Sequence, residues 1–225
     1  MNAQGKRSGE TAREYAYRMI REQVISLELK PGEAFNDMEF AAKIGVSRTP
    51  VREAVIQLSE ESRIIEIFPQ RGMRIAPIDV ELVEEARSLR VLLEKQIAAM
   101  CCEMATEEDI KWLQENVGLQ EFYMENSRPE MVMQLDDEMH HKLFMICHRE
   151  LTYGMCQKLA IHYDRIRSLS VNTVKDHTVI EDHKKIIRFI AAHEKENAMA
   201  QMEKHLSRWQ LNEGKFRQEF PDYFK

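Results

Sequence analysis

Residues 44–54 read Ile44-Gly45-Val46-Ser47-Arg48-Thr49-Pro50-Val51-Arg52-Glu53-Ala54, and the order of residue types predicts the corner of a helix-turn-helix. Gly45 breaks one helix, Ser47 caps the next, and Pro50 is tolerated in its first turn. Upstream, Asn36 can cap a short helix through Ile44. Before it, Thr11 to Leu29 carries Tyr15, Met19, Val24 and Leu27 at mostly helical spacing and stops at the turn dipeptide Pro31-Gly32. Downstream, Ile64-Ile65-Glu66-Ile67-Phe68 is a β-branched run, Pro69-Gln70-Arg71-Gly72 supplies turn residues, and Met73-Arg74-Ile75-Ala76 can return. A two-stranded wing after the second helix is the expectation.

Beyond Pro77 strand signals give way to amphipathic stretches. Helices are expected at about 79–104, 106–125, 129–148, 151–170, 178–193 and 195–217, with Thr106 and Asp109 arranged as a cap. The fold class that follows is mainly α: a winged helix-turn-helix over residues 1–78, a tight joint near Pro77-Ile78-Asp79, and an antiparallel all-helical bundle of about six helices over 79–225. The aromatic end, Phe220-Pro221-Asp222-Tyr223-Phe224, can pack on the bundle or on a partner subunit.

Composition agrees with two folded domains. The chain has 225 residues, 44% hydrophobic and 31% charged, with only 8 Gly and 6 Pro, which excludes disordered and collagen-like classes. No apolar run is long enough for a bilayer and the first residues lack a secretory signal, so a cytoplasmic protein without membrane attachment is expected. The four cysteines, Cys101, Cys102, Cys147 and Cys156, include no CxxC and read as buried thiols. A net charge of −6 argues against coating nucleic acid by bulk attraction. The charge is uneven, however: residues 1–78 hold 12 basic and 11 acidic side chains, whereas 79–225 hold 20 and 27. A nearly neutral head on an acidic body leaves room for local recognition.

In a helix-turn-helix the start of the second helix enters the major groove. Arg48 and Arg52, spaced i, i+4, project from one face there, and the planar guanidinium matches guanine O6 and N7. Thr49 suits a phosphate or a thymine methyl, and Arg71 with Gly72 at the wing tip suits the adjacent minor groove or backbone. The other reading of the two arginines is a surface pairing with Glu53 or Glu60.

All eight histidines lie from His140 onward. On a helical wheel centred at Met139, Val132, Leu135, Leu143 and Ile146 fall within about 40°, Asp136 near ~60° and His140 near ~100°, whereas Asp137 and His141 lie near ~160°. Asp136 and His140 are therefore the inward pair. His183 shares an apolar face with Ile180 and Ile187, and His205 flanks Met202, Leu206 and Trp209. One carboxylate and three imidazoles from three helices suit a divalent transition metal, Zn, Ni, Mn or Fe, with Zn or Ni foremost. Taken singly, each histidine also reads as a core-edge imidazole with a backbone partner. The 14 methionines are adaptable core filler.

Leu29-Lys30-Pro31-Gly32, Phe40-Ala41, the run from Gly45 to Ala54, and Arg71-Gly72 together resemble the winged-helix domain of GntR-type bacterial transcription regulators, over nearly all of residues 11–78. The resemblance implies operator contacts by Arg48, Thr49, Arg52 and Gly72. Two departures stand out: Asn36-Asp37 where the family usually has Ser-Glu, and Ser62-Arg63 where it has Gly-Leu. Arg90 with Glu94, Asp136 with His140, His183-Lys184-Lys185-Ile186 and His205-Leu206 are similar to the all-helical FCD effector domain of the FadR-like branch, over roughly residues 79–217. That resemblance implies a metal held by Asp136, His140, His183 and His205, and a small organic acid effector with Arg90 as counter-ion. The alternative for Arg90 is a structural i, i+4 pair with Glu94.

The resulting expectation is a homodimeric, ligand-responsive regulator of double-stranded operator DNA, by default a repressor released by its effector. A second reading keeps DNA binding but makes the metal structural, or the signal itself. A metalloenzyme is disfavoured, because no HExxH-type arrangement or Gly-rich phosphate loop is present.

Overall fold

The computed structural model describes residues 5–173 and 178–225, and the chain divides into two compact units, Met1–Val80 with Glu219–Lys225, and Glu81–Gln218. The first unit contains α1 (Ala12–Ile25), β1 (Ala34–Phe35), α2 (Asp37–Ile44), α3 (Arg48–Ser62), β2 (Ile65–Phe68) and β3 (Gly72–Ile75). Thr11 and Glu14 form a capping box at the start of α1. Asn36 caps α2 by accepting from the Met38 and Glu39 N–H groups, and Gly45 ends it in the left-handed conformation at φ 73°. Ser47 occupies the N-cap of α3, but its side chain makes no capping hydrogen bond. α1 packs on α3 through Ala16, Ile20 and Val24 against Val51, Val55 and Leu58, all at 0% exposure. Each large aliphatic chain sealed this way stabilises the unit by about 1.5–3 kcal/mol relative to exposure.

The expected two-stranded wing is a three-stranded antiparallel sheet in the order β1-β3-β2, with Ala34 opposite Arg74 and Ile65 opposite Ile75. β1 is only two residues long, too short to show a period-2 pattern in sequence. The Ser62-Arg63 departure has a backbone consequence. Arg63 closes α3 at φ 55°, in the left-handed region, where a residue with a Cβ is strained and glycine is not. Arg63→Gly is therefore expected to stabilise the unit by about 0.5–1 kcal/mol. A lower urea midpoint for the variant would show that the arginine side chain outweighs its strained backbone.

The terminal aromatic segment belongs to the first unit and not to the bundle. After a short 3-10 turn at Pro221–Tyr223, Phe224 bridges Ile78 in parallel. Ile78 N–H donates to the Tyr223 carbonyl at 2.7 Å, and Lys225 N–H donates to the Ile78 carbonyl at 3.0 Å.

The second unit is helical: α4 (Val80–Met104), α5 (Glu107–Glu125), α6 (Pro129–Ile146), α7 (Glu150–Thr173), α8 (Thr178–Ala191), α9 (Lys195–Leu206) and α10 (Trp209–Glu219). Thr106 and Asp109 form the expected capping box on α5. The single helix expected over 195–217 is interrupted, giving seven helices in place of about six among the described residues. Ser207 causes a local break: its hydroxyl donates to the Glu203 carbonyl at 2.8 Å and accepts from Arg87 at 3.0 Å, competing with the helical ladder. The core joins Ile97, Leu113, Val117, Met139, Leu143, Phe144, Ile186, Ile190, Met202 and Leu206. No helix among the described residues is long and apolar enough to cross a membrane.

Candidate metal centre and nucleic-acid interface

The apolar stripe of α6, Val132, Leu135, Met139 and Leu143, is buried, and it carries Asp136 and His140 inside with it at 6% and 2% exposure. Asp137 and His141 are half-buried rather than facing water: Asp137 accepts from Arg167 at 2.8 Å, and His141 stacks on Tyr153 with centroids 4.5 Å apart. α8 delivers His183 and α9 delivers His205, both buried. One donor atom from each of Asp136, His140, His183 and His205 lies within 4.8 Å of the others.

The spacings suit an ion. His183 Nε2 is 3.3 Å from His205 Nε2 and 3.4 Å from Asp136 Oδ1, and His140 Nε2 is 3.6 Å from Asp136 Oδ2. Ligands about 2.0–2.2 Å from a shared centre stand at such separations. His183 is also held in the tautomer a metal needs. Its Nδ1–H donates to Gln120 Oε1 at 2.8 Å, while the Gln120 amide N–H donates to Asn116 Oδ1 at 2.8 Å; the Nε2 lone pair is left facing Asp136 and His205. His140 Nδ1 is 2.5 Å from Glu94 Oε2, while His140 Nε2 and the buried His205 Nδ1 have no hydrogen-bond partner among the described residues. Buried polar atoms without partners are costly, and a cation at the cluster would give His140 Nε2 the partner that the protein does not.

Burial, opposed by the Asp136 carboxylate, lowers His183 from 6.5 to about 4. Burial also holds His205 well below its usual range, reinforced by the two neighbouring imidazoles. Burial pushes the Asp136 carboxyl up, but Arg167 and the imidazoles outweigh it and hold the group below the carboxylate range. His183 and His205 are thus neutral at pH 7, beside an ionised Asp136 carboxylate. A pH dependence follows for ion-free protein. Unfolded His183 takes up its proton near pH 6.5 and folded His183 only near 4, so stability is intact above 6.5 and falls as pH drops towards 4, by roughly 3 kcal/mol for this residue alone. Chelated protein is expected to melt lower at pH 5 than at pH 7.5, and equal melting temperatures would refute the neutral burial.

Arg90, expected as an effector counter-ion, makes the alternative pairing as well: Nε donates to Glu94 Oε1 at 2.6 Å and Nη2 to Oε2 at 3.4 Å. It also lines two recesses. The smaller reaches His140 and Glu94; the larger reaches Asp136 and His205. Arg167, bonded to Asp136, Asp137 and Asp164, lines both. Gln120, Asn116 and Arg167 were not singled out in the sequence. The signal for the first two is legible afterwards, as an i, i+4 polar pair inside the buried Leu113, Val117 and Met124 face of α5.

In the first unit, Arg48, Thr49 and Arg52 occupy the first turns of α3 and are exposed, the two arginine side chains by 56% and 62%. Among the described residues they meet neither Glu53 nor Glu60 but Asp37: Arg48 Nε donates to Oδ1 at 3.0 Å and Arg52 Nη1 is 3.8 Å from Oδ2. Arg71 and Gly72 lie exposed at the turn between β2 and β3. Gly72 adopts φ 100°, a conformation that residues with a Cβ rarely reach.

Residues 12–75 match "Bacterial regulatory proteins, gntR family", and residues 85–208 match the FCD domain. The transcriptional repressor RspR of Escherichia coli K12 is 28% identical over 209 residues, covering 92% of this chain and 91% of that protein. An HTH-type regulator of Bacillus subtilis, YdhC, is 25% identical, over 85% and 86% of the two chains. Among solved structures, Escherichia coli McbR/YncC shares the fold with a TM-score of 0.75 at 19% identity, over 93% of this chain and 99% of that one. The matched domains and relatives are those of transcription regulators and not of enzymes.

Proposed function

We propose, from the premise that this chain belongs to the gntR family of bacterial regulatory proteins and carries an FCD domain, that it is a cytoplasmic homodimeric repressor. The winged-helix unit of residues 1–78 reads one half of a palindromic operator, with Arg48, Thr49 and Arg52 towards base edges and phosphates and Arg71 and Gly72 at the wing. The helical unit of Glu81–Gln218 senses a small carboxylate next to a divalent metal. Asp136, His140, His183 and His205 would hold the ion, zinc or nickel by donor type, and Gln120 would fix His183 for the purpose. Such an ion supplies Lewis acidity and a position where a carboxylate oxygen can bind. Arg90 gives the same carboxylate a buried counter-charge.

The observation that carries this reading is the convergence of four donor atoms within 4.8 Å beside a recess lined by Arg90. Effector release requires the carboxylate to favour one arrangement of the dimer's reading heads over the other. The test is a thermal-shift series on metal-loaded protein with organic acids, beside His183→Ala and a chelated control, followed by operator binding in the presence of any acid that shifts the wild type. An acid that stabilises only the loaded wild type and lowers operator affinity supports the reading. A second reading, with the ion structural or itself the signal, is favoured by one detail: His183 lines neither recess. It becomes the better account where chelation alone lowers stability and no acid shifts it.

A further inference from the structure

The larger recess is lined by two chemically different sets of residues. Around Asp136 and His205 stand Arg90, Arg167 and Arg208, while the remaining wall is Met124, Val132, Met133, Ile166, Val171 and Val179. Only Ser170 and Tyr163 add neutral hydroxyls among the described residues, and the Tyr163 hydroxyl already donates to the Leu206 carbonyl at 2.9 Å.

The charged set is also largely committed. Arg167 is shared by Asp136, Asp137 and Asp164, and Arg208 pairs with Asp182. Arg90 donates to Glu94 through Nε and Nη2, and its Nη1 makes no hydrogen bond to a described residue. Arg90 therefore keeps one amino group for a ligand carboxylate, whereas Arg167 and Arg208 are already taken up by protein carboxylates.

We propose that the effector of this recess is an amphiphilic monocarboxylate, with its acid group at Arg90 and an aliphatic or aryl body along the Met and Val wall. This rests on the carboxylate reading above and narrows it, setting aside polyhydroxylated sugar acids and tricarboxylates. The physical case is differential. Each methylene moved from water onto the wall tightens binding by about fourfold. Each ligand hydroxyl forced against the same wall without a partner weakens it by roughly 5- to 100-fold. Two unbranched thioethers, Met124 and Met133, let the wall adapt to the shape of that body.

The test is calorimetric titration of full-length protein loaded with Zn²⁺, using butanoate, hexanoate, octanoate, 3-phenylpropionate, gluconate, citrate and octanamide. Affinity is expected to rise about fourfold per added methylene in the aliphatic series, with gluconate, citrate and octanamide at least about tenfold weaker than octanoate. Met133→Gln and Val179→Thr, close in size to the residues they replace at half-buried positions, are expected to weaken octanoate by about tenfold while leaving butanoate within a fewfold. Tighter binding of gluconate or citrate than of octanoate overturns the proposal and leaves the carboxylate reading standing. Octanoate binding unmoved by either variant also overturns it, because the body then lies elsewhere. If no acid binds at all, this proposal and the carboxylate reading fall together.

Discussion

Arg52→Ala is expected to weaken specific operator binding by about 10- to 100-fold, the worth of one bidentate arginine contact to a base pair, while leaving binding to a scrambled duplex within a fewfold. The variant should stay folded. The face of α3 that packs on α1 is Val51, Ala54, Val55 and Leu58, and Arg52 takes no part in it. Asp37 is buried, but Arg48 remains 3.0 Å away to compensate its charge. The double variant Arg48→Ala/Arg52→Ala removes both cations from that carboxylate, so its loss of affinity would be mixed with loss of stability. Arg52→Lys separates charge from geometry: it keeps the phosphate attraction and lacks the planar fork. Fluorescence anisotropy on operator and scrambled DNA, beside thermal melts, decides the matter. An unchanged ratio of the two affinities for Arg52→Ala removes this residue from base reading.

His183→Ala is expected to remove tightly bound metal, from near one ion per chain to a small fraction of that, as measured by elemental analysis after gel filtration. His183 is fully buried, and with it goes the ring nitrogen that lies 3.4 Å from Asp136 and 3.3 Å from His205. Because the alanine also leaves a cavity and an unpaired Gln120, a second variant is needed. Gln120→Ala keeps all four ligands and removes only the acceptor that orients His183, and such supporting partners are worth about 10- to 100-fold in metal affinity. Competition against a chromophoric chelator would show that graded loss. Wild-type stoichiometry in His183→Ala, or wild-type affinity in Gln120→Ala, would sink the assignment of these side chains.

Features set by local chemistry were readable from the sequence. Asn36, Gly45 and Thr106 each announce a helix boundary through side-chain capping or a left-handed backbone, and each stands where expected. The choice of Asp136 and His140 over Asp137 and His141 needed only the helical period. What sequence concealed was set by distant partners. β1 exists because Ala34 and Phe35 pair with Arg74 and Met73, not because two residues have strand character. Ser207 interrupts the last long helix with help from Arg87, which lies on a different element. Gln120 reaches His183 across 63 positions, and Arg167 reaches Asp136 across 31; no spacing rule spans such separations.

The bridge between Ile78 and Phe224 also has a meaning in time. The residues of α1 to β3 leave the ribosome first, yet residues 219–225, which belong to the same compact unit, are made only after the whole bundle. The reading head is thus begun early and finished late. During synthesis Ile78 waits without its backbone partners while the helical unit folds as an excursion between two parts of its neighbour. A nascent chain stalled after β3 therefore lacks the backbone partners that Ile78 has in the finished unit.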